Sequence, residues 1–275
     1  MGCAWTVNAG TPWLLAGSEP VTLCRPPCRL PFSSVYWRLL CYYHRTMPIP
    51  DRTTLHEQLA ALPYFVGMDA AALSDVVDLA VWQEFAAGGV VFLEGDLNAG
   101  LYLLNRGWIK VVKLSVDGRE QVLRYFGPGE PFNEIGIFLA RPNPATAIAL
   151  EPCGLWLLRR DLLHPVLVAH PDVMLRVMTN MADRIAYLAG LVADLSLHTV
   201  EVRLARLLLD EAEAGTLVRP PWLTQAELAA RLGTVPDVLS RALRSLADAG
   251  LVRVDRRQIA VLDRSGLAER ALLDD

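Results

Sequence analysis

From Pro171 to about Ser196 the apolar residues recur at Met174, Met178, Met181, Ile185, Leu188, Val192 and Leu195, in alternating steps of four and three. Such a narrow seam, held for three repeats, predicts one long helix that pairs with a second helix. The alternative, a helix lying on its own barrel, would show a broader apolar face. Upstream, from Phe85 to Leu158, the period changes. Short apolar or alternating runs (Val90–Leu93, Leu101–Leu104, Ile109–Val112, Val122–Tyr125) are broken at roughly ten-residue intervals by Gly88-Gly89, Glu94-Gly95-Asp96, Asn105-Arg106-Gly107, Asp117-Gly118 and Gly127-Pro128-Gly129. Evenly spaced short strands predict a barrel or roll, with Asp117-Gly118 turning a hairpin. Two short helices precede it, Leu55–Leu62 and Asp69–Leu79, split at Pro63 and Gly67.

Downstream of the long helix, a helix from Thr199 to about Glu213 ends before Pro220-Pro221. Thr224 and Glu227 then form the pattern of a capping box, which opens a helix that Gly233 ends. Thr234 is placed to cap a second helix with Pro236 in its first turn and Asp237 at its favourable end. Helix, short glycine-containing turn and helix are the pattern of a helix-turn-helix. Val238, Leu239, Leu243 and Leu246 face inward, whereas Asp237, Ser240, Arg241 and Arg244 share the outward face at i, i+3, i+4 and i+7. The runs Leu251–Val254 and Gln258–Leu262, joined by Asp255-Arg256-Arg257, predict a wing with arginines at its tip.

Charge sharpens this picture. The chain as a whole carries −4, but from Arg231 to Arg257 six arginines face three aspartates. Only the docking face of a nucleic-acid binder has to be positive. The expected DNA-contacting set is Thr224, Asp237, Ser240, Arg241, Arg244, Arg256 and Arg257. In it Arg241 is suited to a guanine, Asp237 to a cytosine or to bracing Arg241, and Arg244 to a phosphate. The chain shows no nucleotide-binding loop, metal-spaced His/Cys cluster or nucleophile elbow, so no catalytic or metal residues are assigned and an enzyme is not expected. A sensor whose DNA-binding domain has become vestigial is the other reading; the intact Ser240 and Arg241 argue against it. There is no run of eighteen apolar residues and no clean signal pattern. The protein is therefore expected to be cytoplasmic, without a membrane partner.

Residues 1–46 fit none of these patterns. They hold Trp5, Trp13 and Trp37, five prolines and four of the five cysteines. Met47 is read as the true start and the leader as an upstream extension. A disordered tail, or a thiolate site built on Cys24, Cys28 and Cys41, are the alternatives. Cys153, in an apolar strand, reads as a buried inert thiol.

The ordered run Glu94-Gly95-Asp96, Leu101-Tyr102, Gly107, Lys110-Val111, Asp117-Gly118-Arg119-Glu120 and Pro128-Gly129-Glu130 resembles the cyclic-nucleotide-binding β-roll of the catabolite activator/fumarate-nitrate regulator (Crp/Fnr) family. With the leader 1–46 set apart, the resemblance implies an α+β chain divided into a jelly-roll-like sensor domain 47–168, a dimerisation helix 169–198 and a winged helix-turn-helix 199–275. It implies a homodimer acting as a transcription regulator on double-stranded DNA, with RNA polymerase as a further partner. The family's phosphate cassette, Phe-Gly-Glu and later Arg-Ser/Thr-Ala, is similar to Phe132-Asn133-Glu134 and Ala145-Thr146-Ala147 here. Glycine has become Asn133 and arginine has become Ala145, while Glu134 and Thr146 remain. Without the cation a bound phosphate would be left uncompensated, so a cyclic nucleotide is not the expected effector, and a cyclic-nucleotide-responsive regulator with a degenerate cassette is an alternative. The altered cassette is similar to the denitrification and nitric-oxide branch, which implies haem as a candidate cofactor. His44, His56, His164, His170 and His198 are the available imidazoles. The recognition helix, Pro236-Asp237-Val238-Leu239-Ser240-Arg241, is similar to the family's Arg-Glu-x-x-Gly/Ser-Arg at its last two positions. That suggests a palindrome with TTGA-like half-sites about 34 Å apart.

Overall fold

The computed structural model describes residues 49–97, 99–139, 141–212 and 214–272. The readings placed on the leader, its cysteines and His44 lie outside these residues. Two helices open the described chain, α1 (Arg52–Ala61) and α2 (Ala70–Asp78). Both are capped by aspartates: Asp51 accepts from Thr53 N and Asp69 from Ala72 N. Next come β1 (Ala80–Phe85), β2 (Val90–Phe92), β3 (Gly100–Arg106), β4 (Ile109–Leu114), β5 (Glu120–Phe126), β6 (Pro131–Phe132), the short helix α3 (Ile135–Phe138), β7 (Thr146–Ala149) and β8 (Cys153–Arg159).

These strands make two antiparallel four-stranded sheets, ordered β1-β8-β3-β6 and β2-β7-β4-β5. Tyr102, Leu104, Ile109, Phe126, Phe132 and Leu155 are buried between them. The β4–β5 hairpin forms as expected, with Leu114 opposite Glu120 and Gly118 at φ 81° in the connecting turn. β1 and β7 carried no clear sequence signal.

Helix α4 (Arg160–Ala169) was not read from the sequence, because Pro165 lies inside it and looks like a break. It runs into α5 (Pro171–Leu197), the long helix. The first half of α5 lies on the roll: Val173 and Val177 are buried in a core shared with Leu55, Leu59, Tyr64 and Phe65, and Met174 and Met181 pack against the same core. Met178, Ile185, Leu188 and Val192 stay exposed. The seam thus serves two surfaces: Met174 and Met181 turn to the roll, and Met178, Ile185, Leu188 and Val192 to solvent.

The C-terminal part comprises α6 (Val200–Glu211), β9 (Thr216–Val218), α7 (Gln225–Arg231), α8 (Pro236–Asp248), β10 (Val252–Val254), β11 (Gln258–Val261) and α9 (Arg264–Leu272). Its core gathers Leu204, Leu208, Leu228, Leu239, Leu246 and Ile259. β9 completes a three-stranded sheet with the wing, in the order β10-β11-β9.

Two helix caps differ from the sequence expectation. The N-cap of α8 is Val235, not Thr234, and it makes no side-chain cap bond. Pro236 at the first helical position has no N–H to satisfy, which lessens the need for one. The capping box of α7 is only half formed. Thr224 Oγ1 accepts from Glu227 N at 3.2 Å, but Thr224 N donates to Trp222 O, and the Glu227 carboxylate goes elsewhere.

Candidate nucleic-acid interface and effector cavity

The turn between α7 and α8 closes at Gly233, with φ 63°; a Cβ there would run into the side chains of Leu195 and Gln121. The turn presents α8 with Leu239, Leu243 and Leu246 inward. Asp237, Arg241 and Arg244 are exposed on the opposite face, and Ser240 is half-buried beside them. Arg241 and Arg244 form no ion pair among the described residues. The Ser240 hydroxyl donates to Pro236 O at 2.8 Å and accepts from Gln225 Nε2 at 2.6 Å, so Gln225, which the sequence reading passed over, lies on the same surface. Thr224 is exposed, but its hydroxyl is used as the α7 cap. Arg253, Arg256 and Arg257 are exposed on the wing. The arrangement offers a row of guanidiniums and short polar groups on a rigid helix, flanked by a basic hairpin tip. Such a surface can contact base edges and phosphates together.

The roll holds a second feature. A cavity of about 240 Å³ lies between β4, β5, the residues around α3 and the middle of α5. Asn133, Glu134 and Ala145 line it. Thr146 does not; it is buried, and its hydroxyl accepts from Glu94 N at 2.9 Å. Asn133 has φ 65°, the left-handed conformation that a glycine adopts without strain, and its Nδ2 donates to Gly100 O at 2.9 Å.

The Glu134 carboxylate is paired with Arg184 at 2.5 Å and accepts from the Tyr64 hydroxyl at 2.5 Å. Burial raises its pKa, against the lowering effect of Arg184 and of the Tyr64 hydrogen bond. Arg184 also donates to Pro131 O and Asn180 Oδ1. Arg124 pairs with Glu130. Both guanidiniums lie 5.1 Å from the Phe126 ring. The sequence reading missed Arg124 and Arg184. Each stands beside residues already assigned to a strand or a seam and reads there as a solvated charge.

The walls do not fit a haem. They offer no imidazole and no thiolate, only the Met181 thioether, and the cavity falls below the roughly 300–1,000 Å³ of sites for drug-sized ligands. Cys153 is buried elsewhere; its Sγ donates to Trp108 O and Glu151 O, and burial pushes the thiol up to about 11. Among the described residues no His/Cys/Asp/Glu group is placed to hold a metal ion, and no helix is long and apolar enough to cross a membrane.

Residues 82–170 match the cyclic nucleotide-binding domain model and residues 202–270 the Crp-like helix-turn-helix domain model. The chain is 31% identical over 189 residues to the cyclic AMP receptor protein of Thermus thermophilus, covering 68% of this chain and 86% of that protein. It is 28% identical over 223 residues to the CRP-like cAMP-activated global transcriptional regulator of Mycobacterium tuberculosis, covering 79% of this chain and all of that one. The structure of FixK2 from Bradyrhizobium japonicum superposes with a TM-score of 0.61 at 22% identity, covering 69% of this chain and 96% of that chain.

Proposed function

The chain belongs to the Crp/Fnr family of DNA-binding transcription regulators, and on that premise we propose that it works as a cytoplasmic homodimer, and not as an enzyme, on palindromic duplex DNA under the control of an effector other than a cyclic nucleotide. The observation that carries the DNA reading is the exposed row Asp237, Arg241 and Arg244 on α8, beside the basic tip of the wing. Two such helices, related by a two-fold axis through α5, would read half-sites about one helical turn apart. The exposed Met178, Ile185, Leu188 and Val192 supply an apolar strip for that pairing.

The effector reading rests on the cavity. The two named relatives are cyclic-AMP proteins; by the cassette resemblance, Ala145, which is buried here, takes the place of the family's phosphate-pairing arginine. The two arginines on the wall are already ion-paired. A cyclic phosphate entering this cavity would have to share one of those guanidiniums with a carboxylate.

Selection of duplexes from a random pool by the full chain, followed by gel shift, tests the DNA reading. Recovery of a two-fold symmetric sequence is expected; recovery of none overturns it. Thermal unfolding with added cyclic AMP tests the effector reading. No rise in the midpoint is expected, and a concentration-dependent rise overturns it.

A further inference from the structure

The strands that wall the cavity also seat the helix-turn-helix, on their other face. In the β4–β5 ladder Ile109 pairs with Phe126 and Val111 with Arg124. Ile109 and Phe126 belong to the roll core, and Val111, Arg124 and Phe126 line the cavity. The rung between these two is Lys110 opposite Tyr125. Successive side chains on a strand point to opposite faces, so this rung points outward.

There it meets α7. The Lys110 ammonium lies 2.6 Å from Glu120 and 2.6 Å from Glu227, with 7% of its side chain exposed. The Tyr125 hydroxyl donates to Glu227 O at 3.2 Å, and the Arg231 guanidinium lies 5.4 Å from the Tyr125 ring. Trp222, just before α7, packs on both Trp108 and Tyr125, at 5.2 and 5.4 Å between ring centroids. Burying an ammonium is unfavourable unless it is paired, and here one of its two partners comes from the helix that precedes the recognition helix. This is where the Glu227 carboxylate goes instead of completing its own helix cap.

We propose that Lys110 and Tyr125, acting on Glu227 and Trp222, form a positioning contact that sets the orientation of α8 and transmits to it changes on the cavity face of the same two strands. α7 is joined to α8 through the tight turn at Gly233, so a shift of the seat moves both helices. The contact rests on the DNA-binding and effector-cavity readings above. It places a route from sensor to reader directly through the β4–β5 pair, alongside whatever passes along α5.

The test uses the full chain in four forms: wild type, Lys110→Met, Glu227→Gln and the double variant. Hydrogen exchange of the α7 amides and affinity for the duplex selected by the wild type are measured in each. Each single variant is expected to speed α7 exchange and to change affinity about fivefold. The double variant should show no more than the larger single effect, as for contacting pairs. The decisive arm adds Val111→Ala on the cavity face. It is expected to change α7 exchange in the wild-type background and to leave it unchanged in the double-variant background. The same change in both backgrounds, or additive single effects, overturns the proposal. If the methionine variant fails to fold, Tyr125→Phe, which removes only the hydroxyl, takes its place. If the wild type selects no duplex the DNA-binding reading fails, and the exchange arm still decides whether the two faces are coupled.

Discussion

Glu134 and Arg184 meet at 2.5 Å across the boundary between the roll and the long helix, with 3% of the Glu134 side chain exposed against 22% of Arg184. Tyr64, from the segment after α1, closes the arrangement by donating to the same carboxylate. Three parts of the chain far apart in sequence thus converge on one charge at the cavity wall.

Replacing Arg184 with methionine leaves that carboxylate buried without its cation, which is expected to cost about 3 kcal/mol of stability near neutral pH. The loss should depend on pH. Glu134 already has a raised pKa in the folded chain, so its contribution to stability is greatest at low pH and is lost as pH rises through the folded value. Removing Arg184 raises that value further. The gap between wild type and Arg184→Met should therefore narrow as the pH is lowered from neutrality towards the ordinary carboxylate range. Glu134→Gln, which keeps a partner for Tyr64 and carries no charge, should be milder. Thermal unfolding of all three proteins across this range checks the claim; a gap independent of pH would refute it.

The exposed strip on α5 gives a second prediction. Ile185 is 67% exposed and Val192 63% exposed. Ile185→Glu combined with Val192→Glu should convert a dimer to monomers, with little change in the far-ultraviolet spectrum, because both side chains are largely exposed in their own subunit. Light scattering behind a sizing column reads the outcome directly. Val177→Ala, at a position buried against the roll, should instead lower the unfolding midpoint and leave the mass unchanged.

How much of this was legible from the residues alone follows from the range of each interaction. The helix-turn-helix is written in local signals: Thr224 before α7, Gly233 at the turn and Pro236 at the first position of α8. The β-roll strands are marked by turn residues at short intervals. By contrast, the Lys110–Glu227 pair joins positions 117 apart in the chain, and no local pattern marks the two as partners. Glu227 was already accounted for as a cap residue, and Lys110 as one polar position among apolar ones. Arg184 was hidden in the same way beside Ile185. Pattern reading finds what repeats or what starts and stops an element. A single buried charge, partnered from another part of the fold, does neither.

Asn133 yields a third prediction. It holds a left-handed backbone and donates to Gly100 O, so it supplies the conformation a glycine would and adds a hydrogen bond. Asn133→Gly should be close to neutral, because released strain offsets the lost bond. Asn133→Ala loses the bond and keeps the strained φ, and should destabilise by about 1–3 kcal/mol. Denaturant unfolding of the two variants separates them; equal losses would show that the backbone conformation there is not limiting.

The two arginines of α8 should fail in different ways. Arg241, four residues after Asp237 in the first turns of α8, is expected to meet base edges. The side chain has no ion-pair partner among the described residues that would hold it away from them. Removing it by Arg241→Ala should weaken binding to the selected duplex by about 1–3 kcal/mol and relax the base preference at one position of each half-site, with little effect on scrambled duplex. Arg244 lies one turn further along and is expected to meet a phosphate. Arg244→Ala should weaken selected and scrambled duplexes alike, and should lower the dependence of log affinity on log salt by about one unit per site. Both residues are exposed, so neither change should shift thermal unfolding appreciably, which separates lost contacts from lost fold. Anisotropy titrations at several salt concentrations, with both duplexes, measure all of these quantities. If Arg241→Ala weakened both duplexes equally while Arg244→Ala acted only on the selected one, the assigned roles would be reversed and α8 would enter the groove in a different register.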